Sequence, residues 1–197
     1  KFIPSPLERI FLQDILKNPL DGADKRAKRL GLTPRDASNI QNNLVDNSII
    51  KPVVLERKKL FEITRAGSSL LEKIGFKINQ DGGQGIEHRY FLDHIRMEFL
   101  QNGWMTYKEK DDMDLVVEKT DKIIALEFET GKNNTAQVKR NIEKLIKYNA
   151  DLKFIVTTNQ VALNKINTII SSTDFPDQDT IQLVLARDFI KSLPTNL

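Results

Sequence analysis

The sequence predicts a mixed α/β chain, α+β over its whole length: a helix-rich first part closed by a hairpin, then a sheet part of order α-βββ-α-β-α-β with helices flanking a mixed sheet. Three observations lead there. Apolar residues up to about residue 77 recur at helical spacing and then briefly alternate, whereas beyond residue 85 Val/Ile/Leu-rich strands alternate with helical stretches. The charge is also divided: residues 1–80 hold 15 Lys+Arg against 9 Asp+Glu, a balance of +6, and residues 81–197 hold 15 against 18, a balance of -3, within a net +3. Between them, residues 79–85 form a polar stretch with three glycines that reads as a linker. At roughly 100–200 residues per domain, 197 residues allow this division into 1–78, the linker 79–85, and 86–197.

In the first part, Ser5-Pro6 offers a cap followed by proline at the first helical position, and Leu7, Ile10, Phe11 and Ile15 continue at helical spacing. A short helix fits 24–30, stopped by Gly31. Thr33-Pro34 opens a third with Ala37, Ile40, Leu44 and Val45 inward. Residues 53–55 and 60–63 flank the charged tip Glu56-Arg57-Lys58-Lys59 as a hairpin, and a helix over about 67–73 follows. This order resembles the winged-helix family over about residues 5–77. The resemblance implies DNA binding, with Arg35 and Asn39 meeting base edges beside Asn42 and Asn43, and Arg57, Lys58 and Lys59 along the backbone or in the minor groove. Winged helices also serve as protein-docking units.

In the second part, residues 87–101 read as a helix, then strands at about 104–109, 113–118 and 122–129, a helix over 133–148, a strand at 153–157, a helix over 162–170, a strand at 181–185 and a short final helix. A two-residue turn at Thr120-Asp121 makes paired residue numbers sum to 241, which sets Asp114 opposite Glu127. Like charges so placed repel unless something neutralises them, and a divalent cation would do so. Period-two alternation puts Glu129 on the face of Glu127. An exposed edge hairpin carries acids as well, but the strand Ile-Ile-Ala-Leu-Glu-Phe-Glu is otherwise apolar and reads as central.

Asp114 followed by Glu127-Phe128-Glu129 resembles the PD-(D/E)XK, restriction endonuclease-like, nuclease family over about residues 85–190. The resemblance implies a Mg²⁺-dependent DNA hydrolase, Mn²⁺ substituting, with Asp114 and Glu127 as metal ligands. Glu129 stands where the family carries Lys, so Glu129, or Lys132 just past Gly131, is left to position or activate water; Lys132 reads equally as a surface lysine. Glu87 matches the first-helix acid of many members, or acts only as a first-turn residue favoured by the helix dipole. Gln137 matches a glutamine of exonuclease-like members and shares a polar face with Arg140, Asn141, Lys144 and Tyr148; Arg140 and Lys144 then suit DNA contact, and a solvated face would look the same. His88 and His94 read as structural. Endonucleolytic and exonucleolytic cutting both remain open, and paired cuts across a duplex imply a homodimer.

No cysteine is present, which removes thiolate metal sites and cysteine nucleophiles and leaves carboxylates as metal ligands. No run approaches the roughly 18 apolar residues of a membrane span, so a cytoplasmic protein is expected. Lys1 in place of Met suits a piece of a larger chain or complex. Glu-X-Glu-Thr-Gly-Lys is similar to nuclease-like domains of mobile-element DNA-translocating ATPases, although no Walker motif is present. The alternatives to an enzyme are a non-catalytic DNA-binding or targeting module and a transcriptional regulator with a closed apolar ligand pocket.

Overall fold

The computed structural model describes residues 2–77 and 84–196, so the expected linker lies outside the described residues except for Gln84 and Gly85. The chain divides into two compact units, Lys1–Ile86 and Glu87–Leu197. The described residues form eight α-helices, a two-stranded sheet and a five-stranded mixed sheet, and none of these helices is long and apolar enough to cross a membrane.

In the first unit, α1 (Pro6–Lys17) begins with a capping box: the Glu8 amide donates to the Ser5 hydroxyl and the Ser5 amide to the Glu8 carboxylate. Helix α2 (Ala23–Arg29) and helix α3 (Pro34–Asp46) follow, the latter capped by Thr33. Strands β1 (Ile50–Leu55) and β2 (Lys58–Ile63) pair from Leu55↔Lys58 to Ile50↔Ile63. Only Glu56 and Arg57 form the turn, Glu56 in the left-handed region at φ 53°, so the four-residue tip expected from sequence is shorter; Lys58 and Lys59 already belong to β2. Strand β1 runs through Pro52, which a two-stranded sheet tolerates because one side of each strand needs no ladder donor. Helix α4 (Arg65–Lys73) starts two residues before the expected 67 because the Thr64 hydroxyl accepts the Gly67 amide. Phe11, Leu12, Ile40, Leu44, Phe61 and Leu71 form the core.

A charge network ties α1 to α2. Arg26, with no exposed surface, donates to Asp14 and to the carbonyls of Asn18 and Asp21, while Arg29 makes two bonds to Asp14 and one to Asp21. Although burial opposes it, these two guanidiniums hold the Asp14 carboxyl below its ordinary value.

In the second unit, α5 (Ile86–Gln101) leads into β3 (Met105–Lys110), β4 (Met113–Lys119) and β5 (Lys122–Glu129), then α6 (Thr135–Lys147), β6 (Leu152–Thr157), α7 (Gln160–Ser171), β7 (Ile181–Leu185) and α8 (Ala186–Asn196). The sheet order is β3-β4-β5-β6-β7, with the first two pairings antiparallel and the last two parallel. Two-residue turns join the antiparallel strands, and Asp111, Asp112 and Thr120 in them have positive φ. The β4–β5 register runs from Lys119↔Lys122 to Leu115↔Leu126, the sum of 241 that the turn implies. Strand β5 is central and buried from Ile124 to Glu129. Val116, Ala125 and Ile155 pack on Val138, Ile142 and Leu145 of α6 and Ile166 of α7, and Phe99, Trp104, Phe154 and Phe189 form a second, aromatic cluster.

Candidate active site

The β4–β5 ladder stops at Leu115↔Leu126, and the next two residues bond through side chains instead. The Asp114 amide donates to Glu127 Oε1 at 3.2 Å, and the Phe128 amide donates to Asp114 Oδ2 at 2.8 Å. Each strand thus offers a carboxylate to the other's backbone, and the sheet opens at its centre with two acids held side by side. Glu127 is 2 % exposed. Burial, reinforced by the Asp114 charge, pushes its carboxyl up to about 8, against the pull of Lys144.

Lys144 of α6 lies 2.9 Å from Glu127 Oε1 and also donates to the Asp112 carbonyl. Grouped in sequence with the DNA-contacting residues, Lys144 is instead engaged with the acid pair. Both contacts of Glu127 use Oε1, and a carboxylate has acceptor capacity at both oxygens. His88, read from sequence as structural, is the first-helix residue that reaches the site: its Nε2 lies 3.1 Å from Asp114 Oδ2, and its ring packs edge-on against Phe128. A carboxylate only accepts, so Nε2 carries the proton, while Nδ1 is buried without a hydrogen-bond partner.

Glu129, 1 % exposed, accepts from Asn141 Nδ2 at 2.9 Å and Asn133 Nδ2 at 3.1 Å. Burial raises its carboxyl, the two amides oppose the rise, and the Asp114 charge adds to it. The loop bearing Asn133 is clamped by Lys165, whose ammonium donates to the Gly131 and Asn133 carbonyls at 2.9 and 2.5 Å. Gly131 has φ 81°, and a Cβ there would come within 3.2 Å of Ala162.

The remaining expected residues stand at the periphery. Glu87 meets Lys132 at 3.6 Å and the Asn159 amide at 3.4 Å, so Glu87 and Lys132 engage each other. Gln137 donates to Asn141 and accepts from Arg140, both touching Glu129 only through Asn141. In the first unit, Arg35, Asn39 and Asn42 are exposed on α3, whereas Asn43 donates to Glu8 and accepts from Asn47. Arg57, Lys58 and Lys59 line a groove on that unit with residues of α2 and α3. No single-helix or single-strand pattern marks His88, Asn141 or the Lys144–Glu127 contact, because each joins separate elements, whereas Asn133 reaches Glu129 from the loop just after the same strand.

No family model matches the chain, and neither the curated proteins nor the solved structures searched contain a significant match. Among the described residues, no group of three or more His, Asp or Glu side chains is disposed to hold a metal ion. What is present is the pair Asp114 and Glu127. Two carboxylates suit Mg²⁺, which commonly takes one or two of them and completes its shell with water and substrate phosphates. The raised carboxyl of Glu127 fits the same group, since a cation beside it would favour the ionised form.

Proposed function

We propose that the chain is a DNA-binding phosphodiesterase: a PD-(D/E)XK-like nuclease unit, residues 87–197, preceded by a DNA-binding unit of the winged-helix kind. The observation that carries this reading is the crossed Asp114–Glu127 arrangement at the opened centre of the sheet, in which an almost fully buried glutamate is forced against a second acid. Glu127 is met there by Lys144 and Asp114 by the His88 imidazole. Asp114 and Glu127 would hold Mg²⁺, or Mn²⁺ in its place. When bound, that ion supplies Lewis-acid activation of the phosphate and of a water nucleophile.

The chain's own groups do the rest. His88 orients Asp114 through Nε2–H, and the two asparagine amides fix Glu129 so that its carboxylate can take the proton of an attacking water. Lys144 brings the positive charge that the usual Lys position, occupied by Glu129, does not; its ammonium is placed to stabilise charge growing on the phosphate oxygens. Incubating plasmid and linear DNA with Mg²⁺ or Mn²⁺ tests the reading. Wild-type chain cuts, while Asp114→Ala and Glu127→Ala lose cutting by more than about a hundredfold, beyond the 10–100-fold typical of removing groups that only support a ligand. Equal cutting by all three sinks the site.

One observation favours a second reading. Lys144 already neutralises part of Glu127 from within the chain, as a non-catalytic descendant of the fold would need. That reading predicts gel-shift activity without cleavage and without response to metal.

A further inference from the structure

The first unit carries a groove of about 930 Å³ whose walls come from three places in the chain. Lys25 and Lys28 of α2 line it together with Arg57, Lys58 and Lys59 of the β1–β2 hairpin. Ser38 and Gln41 line it from α3, and its small apolar lining includes Ala27, Leu32 and Ala37. Two acids also line it, Asp21 and Asp24, and Asp21 is bonded to Lys25 and Arg29. The lining is therefore +5 against -2, a net of +3.

Two features decide what such a groove accepts. No aromatic side chain lines it, so it offers no platform on which a base could stack, and stacking is what single-stranded and mononucleotide sites rely on. Its cations come from two separate elements, α2 and the hairpin, and five of them suit a row of phosphates more than a single one. Arg35, Asn39 and Asn42 do not line the groove; on the helical wheel they point about a quarter-turn away from Ser38 and Gln41, beside Asp46.

We infer that this groove holds the sugar–phosphate backbone of one strand of duplex DNA, so that Lys25, Lys28 and the hairpin cations grip the DNA and the outward face of α3 contributes little. The inference rests on the reading of the chain as a DNA-acting protein and says which surface holds the substrate. Such contacts are sequence-independent and strongly salt-dependent.

The test uses the full chain in chelator, so that DNA stays intact, with two fluorescent 20-bp duplexes of unrelated sequence titrated at several NaCl concentrations. Lys28→Glu/Arg57→Glu is expected to weaken both duplexes equally, by about thirtyfold or more, and to flatten the log K against log salt slope by about 2. Lys28→Gln/Arg57→Gln, which avoids new carboxylates, gives the same flattening with a smaller loss, and Lys28→Arg retains binding. Arg35→Ala/Asn39→Ala changes affinity less than threefold. Unchanged far-UV spectra and Tm separate these effects from misfolding. Three results overturn the inference: Arg35→Ala/Asn39→Ala carrying the loss instead, saturable ATP binding that the Lys28/Arg57 variants abolish while duplex binding persists, or no duplex binding by wild type at any salt. The nuclease reading stands or falls separately, on whether Asp114→Ala abolishes metal-dependent cutting at saturating DNA.

Discussion

Each unit buries a cluster of charge, and the two clusters behave in opposite ways. In the first, buried Asp14 is held by buried Arg26 and by the exposed Arg29, each guanidinium has an oxygen facing it, and the acid is held below its ordinary value. In the second, Glu127 is met by Lys144, Asp114 by His88 and Glu129 by two asparagine amides, and both glutamates are driven upward. Burial is common to both; the direction in which it leaves the acids is not. A core that merely needs a polar strut matches its charges. Glutamates whose ionised form burial disfavours would gain from a bound cation, and on this ground we propose the second cluster as a site and the first as scaffolding.

The largest test of that contrast lies in the first cluster. Arg26→Ala leaves Asp14 buried beside Arg29 alone and is expected to destabilise the first unit by about 3–5 kcal/mol, measured by denaturant unfolding, with the cleavage chemistry of the second unit intact once saturating DNA compensates. A loss under about 1 kcal/mol would remove the cluster's structural role. Next, Asn141→Ala frees one oxygen of Glu129 and should lower cutting about tenfold while leaving duplex affinity unchanged; an unchanged rate would show that Glu129 needs no orientation.

Acid–base behaviour sharpens the comparison further. Glu127 is raised from 4.5 to about 8, so between those values the folded chain keeps a proton that the unfolded chain has released. Its contribution to stability is fully present below about 4.5 and is lost as pH rises through about 8. In metal-free buffer the Tm of the second unit should therefore fall by a few degrees from pH 5 to pH 9, and Glu127→Gln should flatten that fall. Asp14 has the reverse sign: its contribution is present above its unfolded value and lost in acid. The smallest effect is expected from the exposed Lys51–Glu62 pair at 2.7 Å, where Lys51→Ala should cost less than about 1 kcal/mol. If it costs as much as Arg26→Ala, enclosure is not what distinguishes these clusters.

Where the sequence was informative, the signal was local. The Thr120–Asp121 turn sets the β4–β5 register as far as Leu115↔Leu126, and so brings Asp114 and Glu127, the next residues, beside each other where the ladder ends. The apolar run of residues 123–126 places β5 in the centre of the sheet for a similar reason. The contacts of His88 and Lys144 are not legible in sequence because their partners lie 26 and 17 positions away, and neither helical spacing nor charge composition encodes such a contact. Glu87 and His88 are neighbours on α5, and that one position along the helix separates a carboxylate facing Lys132 from an imidazole facing Asp114. Asn141 had the best unused signal, since it flanks the stripe of Val138, Ile142 and Leu145 that packs toward β5.

The bond from the Phe128 amide to Asp114 has a practical consequence. It couples one backbone proton in the middle of the sheet to the charge state and position of one carboxylate. In an ¹⁵N-labelled sample that single resonance becomes a gauge of the site, moving when a cation or a phosphate arrives and indifferent to DNA held only by the first unit. Occupancy could then be followed in the resting protein, without a cleaved product and without altering any residue.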